Sequence, residues 1–183
     1  AQSHGEVKGS ANWREDSLYL DGKSYIEAIK AEDLNTVKRQ LTVAVKLKIT
    51  EEPKRYGCVL SRQIESSTGE HYGLYIKKNK LGFMFNMHKK GGGAVFVKQP
   101  VKLNEWLHVV TVIDGESVTI YIDGKEAAKR GWAGEFSSDF TELVIRGNAG
   151  GKQNIVKEFF IGNLRNLQIY SYALSPEELR ELQ

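Results

Sequence analysis

Residues 106–124 read WLHVVTVIDGESVTIYIDG, and this stretch decides the fold. Each half alternates with a period of two, which is the period of a β-strand. The side chains that share one face are Val109, Thr111 and Ile113 in the first half and Val118, Ile120 and Ile122 in the second. Asp114-Gly115-Glu116 joins the halves, and glycine tolerates the positive φ that such turns need. The stretch therefore predicts a β-hairpin, followed by a second tight turn at Asp123-Gly124.

Further strand-like segments lie on both sides of the hairpin, separated by Gly, Asn, Asp or charged turns. The clearest is Leu41–Ile49, in which an apolar residue at every odd position alternates with Thr42, Ala44, Lys46 and Lys48. Its polar face is expected to meet solvent. The other predicted strands are residues 17–19, 25–28, 58–61, 72–77, 81–87, 142–146 and 164–170. This series predicts an all-β protein built from two sheets.

Only the end of the chain carries clear helical signals. Ser175 is placed to cap a helix, Pro176 suits its first position, and Glu178 completes a capping box. Leu179 and Leu182 follow at helical spacing, so a short C-terminal helix is expected to dock on the sheets. Residues 30–40 could form one helical turn, but this segment is too short and too polar to predict a longer helix.

Composition sets the class of protein. The 183 residues are 40% hydrophobic and 27% charged, which suits one domain over residues 1–183, with 1–16 as a loosely ordered leading segment. The single cysteine, Cys58, has no intramolecular partner for a disulfide, and a buried structural thiol is expected.

The net charge of +3 is small, and the charged residues are scattered along the chain, so nucleic acid is not an expected partner. No apolar run is long enough to insert into a membrane. A polar start without Met fits either the mature end left by a cleaved signal peptide or a trimmed sequence, and the first reading gives a secreted, periplasmic or cell-surface location. The domain could belong with other domains of a larger protein.

The order of these segments resembles the laminin-G-like, concanavalin A-like lectin/glucanase superfamily, in its bacterial branch. The resemblance rests on residues 18–27, 41–45, 106–110, 118–125 and 160–179. It implies a jelly-roll sandwich of two antiparallel sheets with a short C-terminal helix. It also implies that Trp106, which precedes a buried run, anchors the core.

The resemblance says less about function, because proteins with this fold include lectins, carbohydrate-binding modules, adhesion domains, hydrolases and lyases. Hydrolases on the fold carry alternating Glu, Asp and Glu on one strand, and no predicted strand here does so. Lyases on the fold use Arg, Gln, His and Tyr on adjacent strands, and the nearest counterpart is Arg62 and Gln63 with His71 and Tyr72.

Calcium is the metal that the resemblance implies, as a structural ion at the rim of the sandwich. Bacterial relatives commonly place Asp and Glu in the closing strand, where this chain has Arg165 and Asn166. Asp21 and Asp139 are the remaining candidates, although an Asp of this kind is more often a turn residue. The four histidines show no zinc-ligand spacing.

Carbohydrate is the expected ligand, because a sugar presents apolar faces and a rim of hydroxyls that aromatic and polar side chains match. Trp132 lies in a Gly-flanked segment predicted to be a loop, residues 129–134, where its ring could stack on a sugar. The candidate ligand-binding residues are Trp132, Arg130, Tyr72, His71, Asn86, His88 and Arg62. The sequence thus predicts a noncatalytic carbohydrate-binding or lectin-like domain. The alternatives are a lyase or hydrolase on the same fold, or a protein-protein adhesion domain.

Overall fold

The computed structural model describes residues 4–8, 12–14, 16–29, 32–64, 69–87, 91–138, 140, 142–145, 148–150, 155–157 and 159–182. Their first eight strands are β1 (His4–Lys8), β2 (Asn12–Arg14), β3 (Ser17–Asp21), β4 (Tyr25–Ile29), β5 (Leu41–Ile49), β6 (Gly57–Gln63), β7 (Glu70–Lys77) and β8 (Lys80–Phe85). The later strands are β9 (Gly93–Phe96), β10 (Trp106–Ile113), β11 (Ser117–Ile122), β12 (Lys125–Gly131), β13 (Val144–Ile145), β14 (Asn148–Gly150), β15 (Ile155–Lys157) and β16 (Ile161–Tyr170). A 3-10 helix spans Glu32–Thr36, and the helix α1 spans Pro176–Glu181.

Two seven-stranded antiparallel sheets form the body of the described structure. Sheet A has the order β1-β4-β13-β6-β7-β8-β9, and sheet B has the order β12-β11-β10-β5-β16-β3-β2. Strands β14 and β15 form a separate pair. The predicted all-β, two-sheet jelly-roll sandwich with a short C-terminal helix is confirmed.

The core lies between the sheets and follows the alternation of the strands. In β5 every odd-numbered residue is buried in it, from Leu41 to Ile49. Sheet A contributes Leu74 and Phe83 from β7 and β8 to the same cluster. Apolar burial of this kind is the main favourable term in folding. Cys58 is also fully buried, as predicted.

The hairpin predicted at residues 106–124 forms as β10 and β11. Its register runs from Val109 opposite Ile122 to Ile113 opposite Val118. The Asp114 Oδ1 atom accepts hydrogen bonds from the backbone N–H groups of Glu116, at 2.8 Å, and Ser117, at 2.6 Å. The tight turn is therefore fixed by its aspartate.

The described residues of the leading segment supply β1 to sheet A and β2 to sheet B. One expectation about the chain is corrected. The segment predicted to be a loop at residues 129–134 is instead strand up to Gly131, because β12 pairs with β11 along the sheet edge.

Helix α1 packs on the outer face of sheet B, as its capping signals predicted. The Glu178 backbone N–H donates to Ser175 Oγ, and the Ser175 backbone N–H donates to Glu178 Oε2 at 2.7 Å. Leu179 and Leu182 then pack against a small apolar cluster formed by Ala44, Val110 and Val112. Helix α1 thereby covers this apolar cluster on the outer face.

A substitution at Gly162 tests how closely β16 approaches β5. A Cβ atom at this position would lie 2.1 Å from the Lys48 carbonyl oxygen, and backbone cannot move away cheaply. Gly162→Ala should therefore lower the free energy of unfolding by about 2–3 kcal/mol in urea denaturation.

Gly131→Ala is the matched control, since nothing lies within 4 Å of its added Cβ. It should change stability by no more than about 0.5 kcal/mol. Equal losses in the two variants would contradict the close approach.

Candidate functional site

Five of the residues predicted to bind a ligand come together, but they are enclosed. Trp132, Tyr72, His71, Asn86 and Arg62 are at most 4% exposed. The prediction that the Trp132 ring is exposed for stacking is therefore wrong. Its ring centroid lies 5.1 Å from that of Phe85 and 4.9 Å from that of Phe136, because the chain after β12 turns in over the end of the sandwich.

Asn86 and His71 hold this returning segment in place. The Asn86 Nδ2 donates to the Glu135 carbonyl at 3.0 Å, and Asn86 Oδ1 accepts from the Ser137 backbone N–H at 3.1 Å. His71 Nε2 lies 2.6 Å from the Ser137 carbonyl oxygen. Both side chains thus act as structural clamps, because Asn86 Nδ2 and Oδ1 and His71 Nε2 all contact backbone groups of this segment.

Arg62 and Tyr72 lie beside each other on neighbouring strands β6 and β7. The Arg62 Nη1 donates to the Leu34 carbonyl at 2.9 Å, and its guanidinium lies 3.8 Å from the Phe140 ring centroid. Burial lowers the pKa of Arg62 and raises the pKa of Tyr72 to about 12. The lyase-like set of Arg62, Gln63, His71 and Tyr72 is enclosed, since each is at most 1% exposed.

Arg130 is exposed, as a binding residue should be, but it closes one edge of the sandwich. Its Nη1 on β12 donates to the Ala94 carbonyl on β9 at 2.9 Å. Its guanidinium also lies 5.7 Å from the Phe85 ring centroid. His88, the last ligand candidate, lies outside the described residues.

The calcium candidates do not form a centre in the described part of the chain. The Asp21 Oδ1 accepts hydrogen bonds from the Lys23 backbone N–H at 2.9 Å and from Ser24 Oγ at 3.1 Å. These short-range bonds make Asp21 a turn residue. Asp139 lies outside the described residues. Among those described, no group of three His, Cys, Asp or Glu could hold a metal ion. A structural Ca²⁺ stays a prediction.

Trp106 was predicted to anchor the core, and this is wrong. Leu107 and Val109 point into the core, so Trp106 and His108 lie on the outer face of sheet B, half-buried. Lys48 Nζ lies 5.4 Å from the centroid of the indole, and Arg165 Cζ lies 4.4 Å from it. Cations so placed attract the ring electrostatically.

The surroundings of Trp106 form an ordered polar face, which we call the Trp106 face; it consists of Lys46, Lys48, Trp106, His108 and Arg165. Strand register builds it, because Lys48 lies opposite Trp106 and Lys46 opposite His108 in the β5–β10 pair. On the other side of β5, Arg165 lies opposite Lys46. Helix α1 covers the neighbouring rows of the same sheet, so the Trp106 face is what α1 leaves open.

Electrostatics distinguish the two ends of the Trp106 face. Arg165 Nη1 forms an ion pair with Asp16 Oδ2. Burial lowers the pKa of His108, the positive charge of Lys46 lowers it further, and Asp123 opposes both. His108 is therefore neutral at pH 7, while lysine and arginine carry the positive charge of the face.

A cavity of about 280 Å³ lies beside the Trp106 face, between α1 and strands β10 and β11. It is lined by His108, Val110, Tyr121, Gly124, Pro176, Leu179 and Arg180. His108 belongs to both the cavity and the face. Together they offer aromatic and aliphatic area next to hydrogen-bond donors, which is the mixture of a ligand pocket.

Sequence reasoning missed this site although its signal was present. The polar side of β5 was expected to face solvent, which gives Lys46 and Lys48. Extending the alternation of residues 109–113 back to residue 106 would have placed Trp106 and His108 outward. The pairing that brings the two strands side by side is a long-range contact and carries no local signal.

Comparison with known proteins agrees with this architecture. A laminin G family model of the concanavalin A-like lectin/glucanases superfamily matches residues 20–180. The chain therefore belongs to this superfamily and is a lectin-like domain.

Solved structures show the same fold at low sequence identity. The heptameric SAP-like pentraxin of Limulus polyphemus is 20% identical, with a TM-score of 0.58 over 78% of this chain and 68% of its own. A protein of Bacteroides ovatus, described as a candidate carbohydrate-binding protein, is 19% identical, with a TM-score of 0.62 over 78% of this chain. The receptor-binding domain of the botulinum neurotoxin C/D mosaic serotype is 13% identical, with a TM-score of 0.76 over 98% of this chain. This chain spans only 40% of the Bacteroides protein and 46% of the neurotoxin domain.

The clamp formed by Asn86 is testable. Asn86→Ala removes two part-buried hydrogen bonds and leaves the Glu135 carbonyl and the Ser137 backbone N–H without these partners, so it should lower the free energy of unfolding by about 2 kcal/mol. Asn104→Ala is the control, because Asn104 is exposed and shares the positive φ of Asn86, at 62° against 45°. Thermal and urea denaturation should separate the variants. If both lose the same stability, backbone strain explains the effect and the clamp does not.

Proposed function

We propose that this protein is a noncatalytic carbohydrate-binding domain and that the Trp106 face binds the glycan. The observation that carries the proposal is an outward indole held between Lys48 and Arg165, next to a cavity that contains a tyrosine ring. Sugars combine apolar C–H faces with hydroxyl groups, and aromatic rings flanked by donors match both. The lectin-like fold and the Bacteroides relative support the choice of ligand class.

The enclosed cluster supports a binding role over a catalytic one. The residues that could have served a lyase are taken up by packing and by bonds such as that from Arg62 to the Leu34 carbonyl. A general acid or base has to come within hydrogen-bond reach of its substrate. The ligand is then bound and released unchanged, in keeping with a secreted, periplasmic or cell-surface module that targets polysaccharide.

Catalysis is checked directly by incubating the protein with alginate, pectin, glycosaminoglycans and β-glucans. New reducing ends report hydrolysis, and absorbance at 235 nm reports elimination. No product is expected with any of these substrates. Turnover that survives in Tyr72→Phe and His71→Gln would place the chemistry elsewhere in the chain, and any turnover would overturn the noncatalytic assignment.

Binding by the Trp106 face is tested by glycan arrays and affinity electrophoresis with polysaccharide gels. Trp106→Ala should weaken binding at least about tenfold, because aromatic residues at the centre of an interface dominate its energy. Trp106→Phe keeps a ring and should retain part of the affinity.

Trp13→Ala is the matched control, since Trp13 is the most exposed tryptophan, at 72%, and lies on edge strand β2 away from the Trp106 face. It should bind as the unmodified protein does. Loss of binding in Trp13→Ala alone would move the site to the sheet edge, and no retention of the unmodified protein on any glycan would overturn the proposed function.

A further inference from the structure

The Trp106 face carries a line of nitrogen-bearing side chains across three neighbouring strands. Arg165 on β16 lies opposite Lys46 on β5, and Lys46 lies opposite His108 on β10. Directly opposite residues in antiparallel strands have Cα atoms about 5 Å apart, so the line is about 10 Å long. We call Arg165, Lys46 and His108 the cation row.

The cation row concentrates positive charge on one part of sheet B. Lys46 and Arg165 lie directly opposite each other, and Asp16 forms an ion pair with Arg165. The neighbouring row places Lys48 opposite Trp106, which adds a third cation close by. Cationic side chains gathered on one outward face attract a ligand of opposite charge.

The indole and its neighbours also restrict how these cations move. Arg165 extends across β5 to reach Trp106, and Asp16 holds its guanidinium from the other side. Lys48 is drawn to the same ring. A donor that is held in place before binding loses less conformational entropy when it binds.

We propose that the glycan bound by the Trp106 face is an acidic polysaccharide, whose sulfate or carboxylate groups lie on the cation row. This inference rests on the proposed function and names its ligand class. The acid groups contact Lys46 and Arg165, while the adjoining sugar ring contacts Trp106 and extends toward the cavity below α1. A nucleic acid would also offer anionic groups, so single-stranded DNA is one of the probes in the test.

The test measures affinity for heparin, for polygalacturonate and for neutral dextran by affinity electrophoresis and calorimetry. Heparin and polygalacturonate should bind more tightly than dextran, and their affinity should fall as salt is raised from 50 to 300 mM. Lys46→Gln should weaken binding of both acidic probes about fivefold and leave dextran unchanged. Lys46→Arg restores the charge and should recover the affinity.

Lys98→Gln is the matched control, because it makes the same change of charge at an exposed position after β9, in the other sheet. It should not alter binding of the acidic probes. An equal loss in Lys46→Gln and Lys98→Gln would show attraction by overall charge alone and overturn the cation row. Equal affinity for single-stranded DNA or for phosphatidylserine vesicles would also overturn it.

The two proposals fail differently. If neutral glycans bind, Trp106→Ala abolishes that binding and Lys46→Gln has no effect, then the acidic ligand class is wrong and the glycan site stands. If no polysaccharide binds at any salt concentration, both are wrong. A melting temperature recorded for every variant shows that loss of binding is not loss of fold.

Acidification provides an independent prediction through His108. The titratable groups around it are Lys46 from β5, Tyr121 from β11, Asp123 after β11, and Arg180 from α1, which is itself paired with Glu177. Because burial and the charge of Lys46 lower the pKa of His108, its ring gains a proton only at a lower pH than an ordinary histidine does. Heparin keeps its sulfate charge on acidification, so its affinity should rise about two- to fivefold as the pH is lowered from 7.5 and His108 becomes protonated.

His108→Gln keeps a polar side chain that cannot be protonated, and its affinity should not change with pH. A rise that persists in His108→Gln would assign the effect to another group. A flat profile for the unmodified protein would remove His108 from the cation row.

Discussion

The structure depends on the pairing of β5 with β10, which runs without a break from Trp106 opposite Lys48 to Ile113 opposite Leu41. Both strands alternate, so one register sends Leu47, Val45 and Val109 into the core and every intervening residue outward. A slip by one residue would exchange the two faces of a strand. The register that builds the apolar core therefore also fixes which residues lie on the outer face, and the Trp106 face follows from that register.

The outer face of sheet B has one part that helix α1 covers and another part that meets solvent. Where the outward residues are Ala44, Val110 and Val112, helix α1 covers them with its leucines. Where they are Lys46, Lys48 and Trp106, no described helix covers them and the surface meets solvent. Apolar rows need a cover and polar rows do not, so the sequence of the outward positions decides where the helix lies. The cavity lies where the two parts meet, since His108 of the Trp106 face and Leu179 of α1 both line it.

Local signals were sufficient for much of the fold. Alternation predicted β5, β10 and β11, and the capping residues predicted α1, because hydrogen bonding and side-chain direction in these elements are set by near neighbours. The edge strands β1, β2 and β12 were missed, since their polar composition becomes strand only through pairing with another strand. The exposure of Trp132 was also wrongly predicted, because its surroundings depend on residues distant in sequence. Glycines on both sides suggested a loop, yet Phe85 and Phe136, distant in sequence, enclose the ring.

The candidate site was hidden by an assumption about tryptophan, which is usually buried, and this one lies next to a buried run. What identifies the site is a conflict between local rules. Lys46 lies opposite Arg165, a pair of like charges, and an indole on an outer face forgoes burial in the core. On the proposed function both choices serve recognition, because a fixed ring and a row of donors are complementary to a charged sugar before it arrives. The residues of sheet B that local folding rules disfavour are then the ones on which the proposed ligand would lie.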